Sequence, residues 1–199
     1  RSGRGAGPGG GQAARAAAGT RPVVVAPVIW HGLSEHHMPF GGTLSLDHET
    51  FFAVLKCMVR SIVRHGFTDI LISNSHGGNM LAMNTAADQL APEFGATIVT
   101  TSYVREAAEE IGALLEDQPH IMHACEGETS MMMALVPDLV DASNLASLAT
   151  KRERGPLEAG KASYRWRSYT HASANGVSGN PARASAEKGE RMLKVAASA

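Results

Sequence analysis

Apolar positions along this chain fall into two kinds of run that alternate. Short continuous runs rich in β-branched residues lie at 22–28 (PVVVAPV), 70–73 (ILIS) and 96–101 (ATIVTT). Each has the length and composition of a buried strand in a parallel sheet, and Pro27 belongs at the end of its run, where no ladder donor is needed. Between the runs the period changes to 3.6. Phe51, Leu55, Met58 and Ile62 form one stripe, flanked by Phe52, Val59 and Val63. That stripe predicts a helix capped by Ser45 or Asp47 and ended by His65-Gly66. A second helix is predicted over 80–94, with Asn79 as its cap and Pro92 and Gly95 closing it. A third runs over 105–115. A fourth opens at Glu126 and stops at Pro137. A last one starts from Asn180 as cap with Pro181 at its first position and runs towards Ala199. The β-α-β-α-β order predicts an α/β fold, a three-layer αβα arrangement with a mostly parallel sheet.

Composition adds boundaries. Residues 1–11 carry six glycines, two arginines and a proline, which cannot bury a core, so this Gly/Arg-rich segment is expected to be disordered. Residues 12–19 (QAARAAAG) read as the last turns of a helix ending at Gly19, a helix tail without a beginning. The expected organisation is one α/β domain over 12–199, truncated at its N-terminus. The 199 residues are 44% hydrophobic and 19% charged with net charge −1, which gives no electrostatic case for nucleic acid or an anionic membrane. No apolar run reaches the roughly 20 residues of a membrane span, and no secretory signal is visible. The two cysteines, Cys57 and Cys125, read as free thiols of a reducing, cytoplasmic compartment.

Candidate chemistry sits at the ends of the predicted strands. Asn74-Ser75-His76-Gly77-Gly78-Asn79 joins a strand to a helix, the place where open α/β sheets bind ligands. His76 offers a ligand or proton carrier there, and Gly77 and Gly78 let backbone come close to whatever it holds. A tight turn with a solvated histidine has the same pattern. The loop after the first strand puts His31, Ser34, Glu35, His36 and His37 within seven positions, a density of ionisable groups typical of functional loops. A third group is His120, His123, Glu126 and Glu128, although glutamates at a helix start are also favoured by the helix dipole. The 131–133 methionines read as core, and Cys57 as a packed thiol. The charge run 151–154 reads as a solvated face. Trp166, in Tyr164-Arg165-Trp166-Arg167-Ser168-Tyr169, suits either the roof of a pocket or a subunit contact.

Four blocks in order resemble the creatininase (creatinine amidohydrolase) family. The first is Gly32, Ser34, His37, Phe40, Gly42 and Thr43, with Gly41 where the family has Pro. The second is the 74–79 junction, similar to the family's Asn-Gly-His-Gly-Gly-Asn with Ser75 replacing Gly. The third is 123–130 (HACEGETS). The fourth is 176–181 (GVSGNP) with 187–190 (EKGE). The resemblance implies a hydrolase that opens a cyclic amide or cleaves a related non-peptide C–N bond with metal-activated water. It implies a divalent cofactor (Zn, Mn or Fe), often two ions, and a homo-oligomer, a hexamer in the family, acting on a small-molecule amide. Carried over by position, His76 becomes a metal ligand, Glu128 a second metal ligand or a catalytic proton handler, and His123 the catalytic general acid or base. Ser34, His37 and Gly77 would lie against the substrate. The family's first motif, Glu-x-His-Gly-Pro-His followed by an Asp, has no counterpart here, and RSGRGAGPGGG stands in its place. The alternative reading is therefore a catalytically impaired fragment or a non-catalytic scaffold of the same fold. Creatininase itself carries Glu where Gly78 stands, which argues against creatinine as the substrate.

Overall fold

A computed structural model describes residues 23–150 and 164–199. The Gly/Arg-rich segment, the expected helix tail at 12–19 and the charge run at 151–154 lie outside the described residues. The described residues group into two compact units.

The unit formed by Ile29–Glu35 and Leu44–Glu106 holds α1 (His48–Arg64), β1 (Asp69–Asn74), α2 (Met80–Phe94), β2 (Thr97–Ser102) and the short α3 (Tyr103–Glu106). Asp47 caps α1 by accepting the Thr50 N–H at 2.7 Å. At the other end Gly66 takes φ +89°, the left-handed conformation that costs a side-chain-bearing residue most. Strands β1 and β2 pair in parallel, Asp69 against Thr97 through Asn74 against Ser102. Ile70, Ile72 and Ile98 face α1 and α2, where Phe51, Leu55, Val59, Met83, Ala86 and Leu90 form the core. The opposite strand face differs from the buried strand expected, because Leu71 and Val99 are 65% and 51% exposed. Strand side chains alternate, and the helices of this unit cover one face.

The other unit comprises 23–28, His36–Thr43, 107–150 and 164–199 among the described residues. It holds α4 (Ala108–Gly112), α5 (Glu126–Leu135), α6 (Leu145–Leu148) and α7 (Ala186–Ser198). Buried Met131 and Met192 come from α5 and α7, and the Ser185 N–H donates to Ser130 Oγ at 3.1 Å. No described helix is long and apolar enough to cross a membrane.

Several predicted boundaries change. Residues 23–28 form no strand, and Val24 is 72% exposed; an apolar run becomes a strand only where its backbone finds a ladder partner. The helix expected over 105–115 is two short pieces, α3 and α4, with non-helical Ala107 between them. Pro92 lies inside α2, and Gly95 alone closes it at φ +62°. Asn180 caps only a 3-10 turn, Pro181–Arg183, while α7 starts separately from Ser185, which accepts the Lys188 N–H. Both Asn180 and Ser185 are good caps, and the chain uses the two in succession.

Candidate functional site

The 74–79 junction is a strand end tied down by side-chain amides. Asn74, 5% exposed, donates to the His76 carbonyl at 2.7 Å and accepts the His76 N–H at 3.2 Å. Asn79 occupies the cap position of α2 but makes no capping bond. Its amide is used elsewhere: Oδ1 accepts the Leu33 N–H at 2.8 Å and Nδ2 donates to Asn74 Oδ1 at 3.1 Å. Gly32 makes this possible, since a Cβ there would lie 2.4 Å from Asn79 Oδ1. The junction thus grips the 32–34 loop.

That grip sets His76. Its Nε2 lies 3.0 Å from the Leu33 carbonyl and 3.4 Å from Ser34 Oγ. A carbonyl only accepts, so Nε2 carries the proton and the lone pair is on Nδ1. Burial holds His76 below the ordinary histidine pKa, outweighing the opposing effect of the Leu33 hydrogen bond. The ring is therefore neutral at neutral pH, the form that ligates a metal, with its other nitrogen anchored on backbone as metal-bound histidines require. Gly77 opens the 3-10 turn that follows, with nothing within 4 Å of where its Cβ would be.

In the other unit, His37, His123 and Glu128 come together. The His37 and His123 rings stack with centroids 4.2 Å apart and 14° between planes. His36 lies 4.0 Å from His37 on its own turn. His123 Nδ1 is 4.0 Å from Glu128 Oε2. Glu128 sits in the first turn of α5 and accepts the Ala124 N–H at 2.5 Å. Ala124 reaches that position with φ +47°, a left-handed conformation unfavourable for a residue with a Cβ. Burial pushes the Glu128 carboxyl above its usual range despite that hydrogen bond. A cation beside it would offset the penalty. A neutral imidazole with a backbone-anchored second nitrogen and a partly buried carboxylate, its side chain 35% exposed, are both suitable donors for a borderline divalent ion such as zinc.

Tyr169 joins this second group, its ring 4.8 Å from His37 and 4.6 Å from His123. Sequence pattern gave it no role, because nothing in the spacing of the 164–169 run singles it out from Trp166. Glu126, three positions after His123, turns out to be structural. It is fully buried and takes Lys188 Nζ, which also donates to Glu116 at 2.8 Å. Glu126 does stand in the first turn of α5, as the helix-dipole reading expects, and pairs with α7 in addition.

These features define a class: an α/β protein whose loops present imidazole and carboxylate donors, with His76 at the carboxyl end of a parallel strand. The creatininase (creatinine amidohydrolase) family model matches residues 10–199, and the chain belongs to that family. It is 28% identical over 178 residues to the mycofactocin precursor peptide peptidase of Mycobacterium ulcerans (strain Agy99), covering 85% of this chain and 61% of that protein. The chain thus spans about three fifths of that relative's length. Its fold matches that of a creatinine amidohydrolase (creatininase) crystal structure at a TM-score of 0.76 and 24% identity, covering 94% of this chain and 74% of that one. Creatininase structures described as Mn and as Zn-Zn type match at a TM-score of 0.65 and 25% identity, covering 80% of this chain and 64% of theirs.

Proposed function

We propose that this protein is a metal-dependent amidohydrolase that cleaves a cyclic amide or related non-peptide C–N bond of a small molecule. His76 and Glu128 are the proposed metal ligands. A divalent ion would bring the pKa of a bound water to about 7 and polarise the amide carbonyl. His123 gives a proton to the leaving nitrogen, which departs poorly as an anion. Where Glu128 does not ligate the ion it is instead the second proton handler, a role supported by the burial that favours its protonated form. Ser34, His37 and Gly77 are the proposed substrate-binding residues. The observation that carries the reading is the setting of His76. Its Nε2 proton is committed to the Leu33 carbonyl and its ring is kept neutral by burial, which supports Nδ1 as a donor to a cation.

A second reading places the scissile bond in a peptide. It is favoured by the similarity to a protein named as a precursor peptide peptidase across 85% of this chain.

The test begins with protein stripped by chelator and dialysed against Zn or Mn. Bound metal is measured by elemental analysis, and hydrolysis is followed on a cyclic-amide panel that includes creatinine and on a short-peptide panel. The expected result is stoichiometric metal uptake and turnover on one panel, with His76→Ala losing at least about 100-fold in rate. Protein that takes up neither ion and turns over neither panel overturns the proposal and leaves a non-catalytic scaffold. Turnover of peptides alone selects the second reading.

A further inference from the structure

We propose that Tyr169 is the positioning residue of His123: it closes one wall of a slot that fixes which edge of the His123 ring faces Glu128. The inference rests on the proposed role of His123 as proton carrier.

Two rings bound His123. His37 lies nearly parallel to it, at 4.2 Å and 14°. Tyr169 stands tilted against it at 4.6 Å and 60°, and against His37 at 4.8 Å and 55°. Tilted and stacked contacts are the arrangements that ring quadrupoles favour. Tyr169 is itself anchored. Its hydroxyl donates to Ser178 Oγ at 2.8 Å, and Ser178 is 1% exposed. The Ser178 N–H in turn donates to the His123 carbonyl at 2.8 Å, within an isolated antiparallel bridge. One stretch of chain, from Tyr169 to Ser178, therefore holds both the ring and the backbone of His123.

The consequence is orientational. The Nδ1 edge of His123 points at Glu128, 4.0 Å away. A half-turn of the ring would put a carbon there and carry the nitrogen off. A proton carrier has to present a nitrogen to a fixed place, and a displacement of about 1 Å is enough to lose much of the rate. An imidazole on a loop before a helix, with only one wall, would sample both orientations. The His37 stack permits sliding within its plane; the tilted Tyr169 ring stops it.

The test reads the ring through its tautomer: a ring nitrogen held facing the Glu128 carboxylate keeps the proton, and a ring that samples both orientations shares it between the two nitrogens. The ¹⁵N signals of the His123 imidazole are recorded on metal-free protein at about pH 8, where a free imidazole is neutral. They are assigned by their loss in His123→Gln and compared in the parent, Tyr169→Phe and Tyr169→Leu. The expected parent spectrum has one ring nitrogen at a protonated and one at an unprotonated position. In Tyr169→Leu the two move towards their mean; in Tyr169→Phe, which keeps the wall and loses the anchor, they move part of the way. His48, on α1, serves as the control whose signals stay put. If Tyr169→Leu does not fold, Ser178→Ala and Tyr169→Phe carry the same expectation. His123 signals unmoved in every folded variant overturn the inference. No substrate or metal enters this measurement. Protein that hydrolyses no amide therefore defeats the proposed function alone, and an active protein with unmoved His123 signals defeats only this inference.

Discussion

Gly189 and Ser130 meet backbone to backbone: a Cβ on Gly189 would lie 2.0 Å from the Ser130 carbonyl oxygen and 2.9 Å from the Met131 nitrogen. Helix α7 packs on α5 at a distance only glycine allows. Two effects of Gly189→Ala oppose each other. Alanine favours the helix by about 1 kcal/mol, but overpacking against backbone, which cannot swing aside as a side chain does, costs about 1–3 kcal/mol. The clash is expected to win, lowering the thermal midpoint by several degrees. An unchanged or raised midpoint in a thermal melt would show that the helices separate freely.

Ala124 gives a substitution of opposite sign. Its φ of +47° is adopted so that its N–H reaches Glu128. Glycine takes this conformation without the Cβ penalty of roughly 1–2 kcal/mol, although it also adds disorder to the unfolded chain. Ala124→Gly is expected to raise stability by about 0.5–1 kcal/mol, read as a higher urea midpoint at unchanged slope.

Lys188 and Glu126 form a deeply buried ion pair, with side chains 14% and 0% exposed. Lys188→Met leaves the Glu126 carboxylate buried, accepting the Glu116 N–H but without its ammonium partner. That change is expected to cost about 3–5 kcal/mol, whereas replacing both partners with apolar residues costs much less. A double-mutant cycle on urea unfolding measures the difference.

The same network predicts how stability follows pH. Hydrogen bonding and charge from Lys188 hold the Glu116 carboxyl below its ordinary value, and Asn180 and Arg183 do the same for Asp117. Burial works against the Lys188 charge, yet Glu116 and Glu126 outweigh it and hold the ammonium above its usual value. A carboxyl whose folded pKa is depressed contributes its stability above the unfolded value of about 4 and loses it as pH falls through the folded value. Through these two carboxyls the thermal midpoint is thus expected to fall below about pH 4. In Glu116→Gln with Asp117→Asn that fall should be shallower; an identical acid limb would remove these two carboxyls from the account.

Asn79 is expected to matter more than a helix cap. Asn79→Ala removes the acceptor of the Leu33 N–H and the donor to Asn74, an expected cost of about 1–3 kcal/mol. Asn79→Asp keeps the acceptor but turns an oxygen towards Asn74 Oδ1, so it should not restore the parent midpoint. Full rescue by aspartate would assign Asn79 to capping after all.

Much of the fold was legible where structure is local. The stripe from Phe51 to Ile62 fixed α1, and Asp47 capped it as its side chain suggests. The run at 70–73 and the glycine at 95 marked β1 and the end of α2. The run at 22–28 looked equally strand-like, and its described part, 23–28, is not one, because a strand also needs a neighbour. The candidate site divided in the same way. His76, His123 and Glu128 stood out by motif, but Tyr169 did not, and Lys188 lay in the 187–190 block without a role, since no spacing links either to the residues they serve.

By itself, the sequence determined periods, caps, turns and the order of the four family blocks, all properties of residues within a few positions of each other. Tertiary structure alone decided that the Leu33 carbonyl orients His76 across 43 positions, and that Lys188 neutralises Glu126 across 62. The reason is physical: side-chain chemistry fixes what each group can donate or accept, but which partner it meets depends on how the chain closes its long loops, and that is set by the packing of the whole core.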